Sequence, residues 1–338
     1  MLRTCRCAAV LLAILILPFA LSGCGRIRSE EPNASAQTTE NYAPPEQDAP
    51  PESSESPMDS EPPQRQSLTV LFFSDTQPYP QTGDYTGFGE LSAQAAARED
   101  MPDLIIFGGD TVNDGGDEAE WREFMQAAGT CLEEPTTAAA AGNHDNYPLL
   151  ARQFDYPFEA PAGQSEGYFY TLSMGSVFFI VLDSNIMGAA NQADIEWLHK
   201  ELQSEAARQA GWIVAVMHHP MWPVTDNPKD LQRAETMREN FLPLLEDYGV
   251  ALILCGHQHV YSRTLPMRGG SIADGEQGIV QIMAASGDKA TYAIGEQGYI
   301  AASAPAPNYL LLIANDQSLD ITAFDGEGRV IDQVISNK

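Results

Sequence analysis

From Ser67 onward the chain alternates between short apolar runs and polar loops, with a spacing that shifts from strand-like to helix-like and back. Ser67–Phe73 is a continuous apolar run that stops at Ser74-Asp75, the pattern of a strand buried on both faces. Glu90–Glu99 predicts a helix, Asp103–Phe107 a second buried strand ending in Gly108-Gly109-Asp110, and Asp117–Ala128 a second helix. Thr136–Ala141 carries the chain into Gly142-Asn143-His144-Asp145. Two strand-like runs, Gly167–Met174 and Ser176–Asp183, meet at the tight turn Met174-Gly175-Ser176. Asn191–Arg208 places Ile195, Leu198 and Leu202 on one helical face. Trp212–Met217 predicts a strand ending at His218-His219-Pro220, and Ala234–Asp247 a helix. Val250–Cys255 predicts a strand ending in Gly256-His257-Gln258-His259, and the tail from Gly278 reads as strands separated by Gly and Asn turns. Strands alternating with helices, followed by more strands, predict an α/β sandwich without an internal domain boundary.

Residues 1–66 follow neither period. Arg3 and Arg6 precede a 14-residue apolar run, Ala8–Leu21, which has the length of a signal-peptide core and is short for a bilayer span. It ends in Leu21-Ser22-Gly23-Cys24, which resembles the lipobox of bacterial lipoproteins. That resemblance implies a signal peptide at 1–23, cut just before Cys24, and two acyl chains on the cysteine; the alternative is an ordinary secreted protein cut near Ala20. Two acyl chains supply the two signals that stable membrane attachment requires. The expected location is the extracytoplasmic face of a cell membrane, held by the lipid anchor.

Of the 42 residues at 25–66, eight are Pro and nine are Asp or Glu, against three Arg. Ile27, Tyr42 and Met58 are too sparse to build a core, so ordering this stretch would cost entropy with little return. The expected organisation is an acidic, Pro-rich linker at 24–66 and one folded domain at 67–338.

Composition narrows the function classes. Over the 338 residues, 47 acidic side chains against 18 basic ones give a net charge of −29, which argues against nucleic-acid binding because phosphate neutralisation needs a basic surface. Five Cys over this length do not form a disulfide framework. An anionic small molecule remains a possible substrate if cations sit in its site.

The polar residues fall where chemistry is expected. Asp75, Asp110, Asn143, His218, His257 and His259 all lie just beyond the C-terminal ends of predicted strands, the edge where α/β sheets bind ligands. Five of the six His (His144, His218, His219, His257 and His259) occupy three such loops, whereas His199 belongs to a predicted helix surface. Carboxylate, amide oxygen and imidazole together suit divalent first-row metals without any thiolate. Asp110 is positioned to bridge two ions. Two metals ~3.5–4 Å apart can clamp the attacking and leaving oxygens of an in-line displacement at phosphorus. His144 is the candidate proton donor to the leaving oxygen, with Asp145 to orient it.

These motifs, Asp75, Gly109-Asp110, Gly142-Asn143-His144-Asp145, His218 and Gly256-His257-Gln258-His259, resemble in identity and order those of the calcineurin-like metallophosphoesterase superfamily. The stretch Gly256–Arg263 and the helix around Trp197-Leu198 look most like its purple-acid-phosphatase side. The resemblance implies two mixed β-sheets packed together with helices outside, an αββα sandwich. It implies hydrolysis of small phosphomonoesters or phosphodiesters with two divalent metal ions, Mn, Zn, Fe or Co. Asp75, Asp110 and His259 would hold one ion; Asp110, Asn143, His218 and His257 would hold the other, with His219 supporting or packing.

Departures from the family pattern matter. Many members carry Asp-x-His at the first motif, where this chain reads Asp75-Thr76-Gln77. Asn113 stands where purple acid phosphatases carry a Tyr ligand, so no purple colour is expected. Asn113-Asp114-Gly115 also replaces the Asp-Arg pair of protein Ser/Thr phosphatases, which removes support for phosphoprotein substrates. A second reading is therefore a catalytically impaired metal- or ligand-binding surface lipoprotein. Asp183-Ser184-Asn185 reads as a strand-end Asx turn rather than a site residue. Trp222 and Tyr79 serve either substrate stacking or packing, and Cys131 and Cys255 either pair or stay reduced.

Overall fold

Phe72 and Phe73 are neighbours in the first strand, yet their side chains enter different layers of the molecule, because successive residues of a strand point to opposite faces. The structure is a computed structural model that describes residues 67–79, 83–98, 101–154, 168–187, 192–275 and 277–338. The leader, Cys24 and the Pro-rich stretch through residue 66 lie outside the described residues.

In chain order the elements are β1 (Leu68–Phe73), α1 (Thr86–Ala96), β2 (Leu104–Phe107), α2 (Glu118–Ala128), β3 (Thr136–Ala139), α3 (Tyr147–Gln153), β4 (Tyr170–Met174), β5 (Val177–Val181), α4 (Ser184–Met187), α5 (Gln192–Leu202) and α6 (Glu205–Gln209). There follow β6 (Trp212–Val216), α7 (Pro228–Asn240), α8 (Leu242–Asp247), β7 (Val250–Cys255), β8 (Val260–Thr264), β9 (Met267–Arg268), β10 (Ser271–Ile272), β11 (Val280–Met283), β12 (Ile300–Pro305), β13 (Asn308–Ala314), β14 (Ser318–Asp325) and β15 (Val330–Asn337).

One sheet runs β15-β14-β13-β1-β2-β3 and the other β12-β8-β11-β7-β6-β5-β4. Both are mixed: β1, β2 and β3 are parallel, as are β5, β6, β7 and β11, with antiparallel strands at the flanks. Between the sheets, Val70, Phe72, Ile106 and Leu312 meet Phe179, Val214, Val216, Leu252 and Leu254. On the outer face of the first sheet, Phe73, Phe107 and Tyr309 pack against Phe88, Trp121 and Phe124 of α1 and α2. On the outer face of the second, Phe178, Ile180, Ile213 and Ile253 pack against Trp197 and Leu198 of α5, Met237 of α7 and Leu245 of α8. Full burial of each such side chain contributes about 1.5–3 kcal/mol. The result is the helix–sheet–sheet–helix sandwich expected.

Several boundaries differ from the periodicity. The helix predicted over 191–208 is two: Ser204 accepts the Ala207 N–H at 3.1 Å and starts α6 afresh. Pro243 sits in the first turn of α8, so 234–247 is likewise divided at Phe241. Strand β8 and helix α3, which the spacing did not predict, follow the two histidine- and asparagine-rich loops.

Candidate metal centre

Parallel strands deliver the predicted ligands to one edge. β1 leads into Asp75, β2 into Asp110, β3 into Asn143, β6 into His218, and β7 into His257 and His259. Among the described residues, the non-glycine positions with left-handed backbone are Asp75 (φ 49°), Asp110 (φ 51°), His257 (φ 77°) and His259 (φ 47°). Such conformations cost of order 1–3 kcal/mol each and persist only where neighbouring contacts impose them. Here the contacts are visible. Asp75 N–H donates to Gly109 O at 3.0 Å, and His257 N–H donates to Asp75 Oδ2 at 2.8 Å, tying the two sheets together. Gly109 is required by close approach as well as by its φ of 93°, since a Cβ there would stand 2.7 Å from both Gly142 N and His218 Nδ1.

The donor atoms of Asp75, Asp110 and His218 lie within 4.8 Å of one another, as do those of His218, His219 and His257. His218 Nε2 is 3.3 Å from Asp110 Oδ2, and His259 Nε2 is 3.4 Å from Asp75 Oδ1. Neither His218 Nε2 nor Asp75 Oδ1 makes a hydrogen bond, although both atoms are buried. A buried polar atom without a partner costs about 1–3 kcal/mol, and a divalent cation between these donors would satisfy them together. The residues therefore fit the metal that the donor set implies.

The histidines are oriented for that purpose. Gly108 O accepts from His218 Nδ1 at 2.9 Å, and Ala290 O from His259 Nδ1 at 3.1 Å. Ser184 Oγ meets His219 Nδ1 at 2.9 Å. Each contact occupies one ring nitrogen and leaves Nε2 for an ion, an arrangement typical of metal-binding imidazoles. His219, expected to support or pack, joins the second donor group, with its ring centre 4.2 Å from that of His257. The electrostatics agree. Burial pushes the Asp75 carboxyl up, but the His259 and His218 imidazoles outweigh it and hold the group below its ordinary value. Burial likewise opposes charge on His218, yet the Asp110 carboxylate raises it to about 9. Burial, aided by the neighbouring His218, His257 and Arg233, pushes His219 far down and keeps it neutral.

Asn143 lies exposed on the rim of this edge. His144 follows it, and its Nδ1 donates to Asn113 O at 2.6 Å while Nε2 stands 3.3 Å from Lys289 Nζ. Asp145, expected to orient that imidazole, is engaged elsewhere. Its Oδ2 accepts Asp110 N–H and Gly142 N–H, each at 2.9 Å, and its Oδ1 accepts Thr111 N–H at 3.1 Å. Burial, and then the charge of Asp110, push its carboxyl up to about 7. The orienting group for His144 is thus the Asn113 carbonyl, and Asp145 clamps the loop that carries Asp110. Gln77 is buried with both ends of its amide in use, Nε2 on Val112 O at 3.2 Å and Oε1 on Lys289 Nζ at 2.7 Å.

Two groups, Asp230 and Lys289, were not singled out in the sequence, and a third, Asn185, was read there as part of a turn. Asp230, in the first turn of α7, places Oδ1 3.2 Å from His257 Nε2 and accepts Gln258 Nε2 at 2.8 Å through Oδ2. It follows no strand, so the pattern that exposed the other residues misses it. Lys289 follows β11 at the same sheet edge and was open to that signal. Asn185 donates to Ala141 O at 3.1 Å and Gly142 O at 3.2 Å, bracing the Asn143 loop. The Asx turn beside it is present, with Asn185 N–H on Asp183 Oδ1 at 3.0 Å. Trp222 is buried in the outer core of the second sheet, which makes it packing, whereas Tyr79 is 43 % exposed. Cys131 and Cys255 are both free and buried, in different cores.

The chain is 28 % identical over 152 residues to purple acid phosphatase 15 of Arabidopsis thaliana, covering 43 % of this chain and 27 % of that one. It is 31 % identical over 171 residues to a probable glycerophosphodiester phosphodiesterase of Arcobacter nitrofigilis, covering 48 % of this chain and 59 % of that one. The match thus spans between about a quarter and three fifths of these curated relatives. A purple acid phosphatase from yellow lupin seeds shares the fold with a TM-score of 0.68 at 18 % identity, over 82 % of this chain and 55 % of that one. The model of the calcineurin-like phosphoesterase family matches residues 68–261, a span that runs from β1 through every predicted ligand, and the chain belongs to that family.

Proposed function

We propose that this chain hydrolyses small phosphate esters, monoesters or diesters, using two divalent metal ions. The observation that carries this reading is the convergence of Asp75, Asp110 and His218, with two buried donor atoms left without hydrogen bonds. The similarity to a purple acid phosphatase and to a probable phosphodiesterase supports both ester classes. Asp75, Asp110 and His259 would hold one ion, and Asp110, Asn143, His218 and His257 the other. When bound, such ions act as Lewis acids that polarise the phosphoryl oxygens and make a water molecule more acidic. Asn113 O fixes the His144 ring through Nδ1, which leaves Nε2 as the atom that exchanges a proton with the departing oxygen. Asp145 holds the Asp110 main chain in its left-handed turn, so the carboxylate that would hold metal is placed before substrate arrives.

The lipobox-like Leu21-Ser22-Gly23-Cys24 supports an anchored protein, acylated at Cys24 and exposed outside the membrane. Among the described residues no helix is long and apolar enough to cross a bilayer.

The test is a screen of phosphomonoesters and phosphodiesters with Mn, Zn, Fe and Co supplied in turn. Turnover that requires metal and disappears in Asp110→Asn is expected. Wild-type protein carrying two metals per chain without turnover on any ester would overturn the reading. Fewer than two metals together with no turnover would favour a binding protein instead, the outcome in which the engaged amide of Gln77 costs the first site an ion.

A further inference from the structure

The loop after β11 is pinned against the end of β1. Ser286 N–H donates to Ser74 O at 2.7 Å and Gly287 N–H to Asp75 O at 2.9 Å. Asp288 Oδ2 accepts Gly87 N–H at 3.1 Å, fastening the same loop to α1. A Cβ at residue 287 would stand 2.2 Å from Gln77 O and 2.6 Å from Asp75 O, so only glycine permits this approach. Lys289 leaves this fixed segment half-buried, with Nζ 2.7 Å from Gln77 Oε1 and 3.3 Å from His144 Nε2. An ammonium has three N–H donors: Gln77 Oε1 takes one, and His144 Nε2 accepts another only while it carries no proton, so at least one stays uncommitted.

Charge makes that donor informative. The chain carries a net −29, and Asp75, Asp110 and Asp145 gather their carboxylates within this one edge. An anionic ester entering here meets repulsion unless cations offset it. Asn113-Asp114-Gly115 supplies no arginine. Arg233 donates through Nη1 to Ser184 O at 3.1 Å and stands 3.5 Å from His219 Nδ1, which places it beside His219 rather than His144. Lys289 is the cation that stands beside His144, the group placed to serve the leaving oxygen.

We propose that Lys289 grips a non-bridging oxygen of the substrate phosphoryl group, held in place by Gln77 as a positioning residue. Gln77 thereby gains a role that a metal ligand at its position would not have: its carbonyl oxygen aims the ammonium. The inference rests on the ester-hydrolase reading. An ammonium attracts a doubly charged phosphomonoester more strongly than a singly charged diester, so Lys289 favours the former.

The test compares wild type, Lys289→Met and Lys289→Arg as full-length, metal-loaded protein, with inorganic phosphate as the probe. Calorimetry should show phosphate binding weakened roughly ten- to hundredfold in Lys289→Met, the range of a lost charge-assisted hydrogen bond. KM should rise more for a monoester than for a diester, metal content should stay at the wild-type value, and Lys289→Arg should recover most of the binding. If Lys289→Met loses its folded structure, Lys289→Gln, which keeps a partner for Gln77, takes its place. Unchanged phosphate binding in a metal-replete variant would overturn the assignment of Lys289 while leaving the hydrolase reading intact. Loss of metal would overturn it too, by showing that Lys289 supports the ligands. Wild-type protein that neither binds phosphate nor turns over any ester would overturn both.

Discussion

Asp145 accepts the main-chain N–H of Asp110 at 2.9 Å, so one half-buried aspartate fixes the backbone of another, buried one whose carboxylate faces His218. The same carboxylate holds Gly142 and Thr111, which joins the loops after β2 and β3 into one unit. Asp145→Ala strands three main-chain donors at the site. The expected loss is about 2–4 kcal/mol of stability, with less for Asp145→Asn, which retains an acceptor oxygen. Urea unfolding measures it. Stability unchanged in the alanine variant would show that the clamp is dispensable.

Asp110→Asn should strip the centre of metal. It removes the charge that faces His218 Nε2 and leaves that buried nitrogen opposite a neutral amide. Metal content by elemental analysis should fall below one ion per chain, with turnover lost. Retention of two ions would mean that Asp110 does not bridge.

His144→Asn should keep near-normal metal content, since the histidine ring is held by Asn113 O and belongs to neither donor group. The rate constant should fall ~10²–10⁴-fold for alkyl esters, the range of general acid catalysis. Nitrophenyl esters, whose leaving group departs without protonation, should suffer far less. An equal loss across leaving groups would place His144 in phosphate binding instead.

Cys24→Ser should move the protein from the membrane fraction into the medium or the soluble fraction, because the proposed acyl chains would have no other attachment point in the lipobox-like stretch. Membrane fractionation that does not change would exclude lipidation at this cysteine.

Much of this molecule was legible in its order of residues. Apolar runs such as Leu68–Phe73 and Val250–Cys255 announced buried strands, because a strand covered on both faces has no polar side to show. Asp75, Asp110, His218, His257 and His259 stood out because each directly follows such a run, and parallel strands bring those ends to one edge. Helix boundaries were less visible. Ser204 and Pro243 restart helices within continuous amphipathic stretches, since a cap acts through local hydrogen bonds that periodicity does not register.

What only the folded chain decided is which polar groups meet. Asp145 sits next to His144 in sequence, yet its oxygens turn to main-chain donors of Asp110, Thr111 and Gly142, and a carbonyl from residue 113 takes the imidazole. Lys289 is 212 positions from Gln77 and 145 from His144, and Asp230 reaches His257 from a helix 27 positions away. The sequence by itself determines which chemistry is available, because donor types and strand ends are local properties. Partnership between side chains is decided by the packing of two sheets face to face, where distances of about 3 Å depend on contacts between residues far apart along the chain.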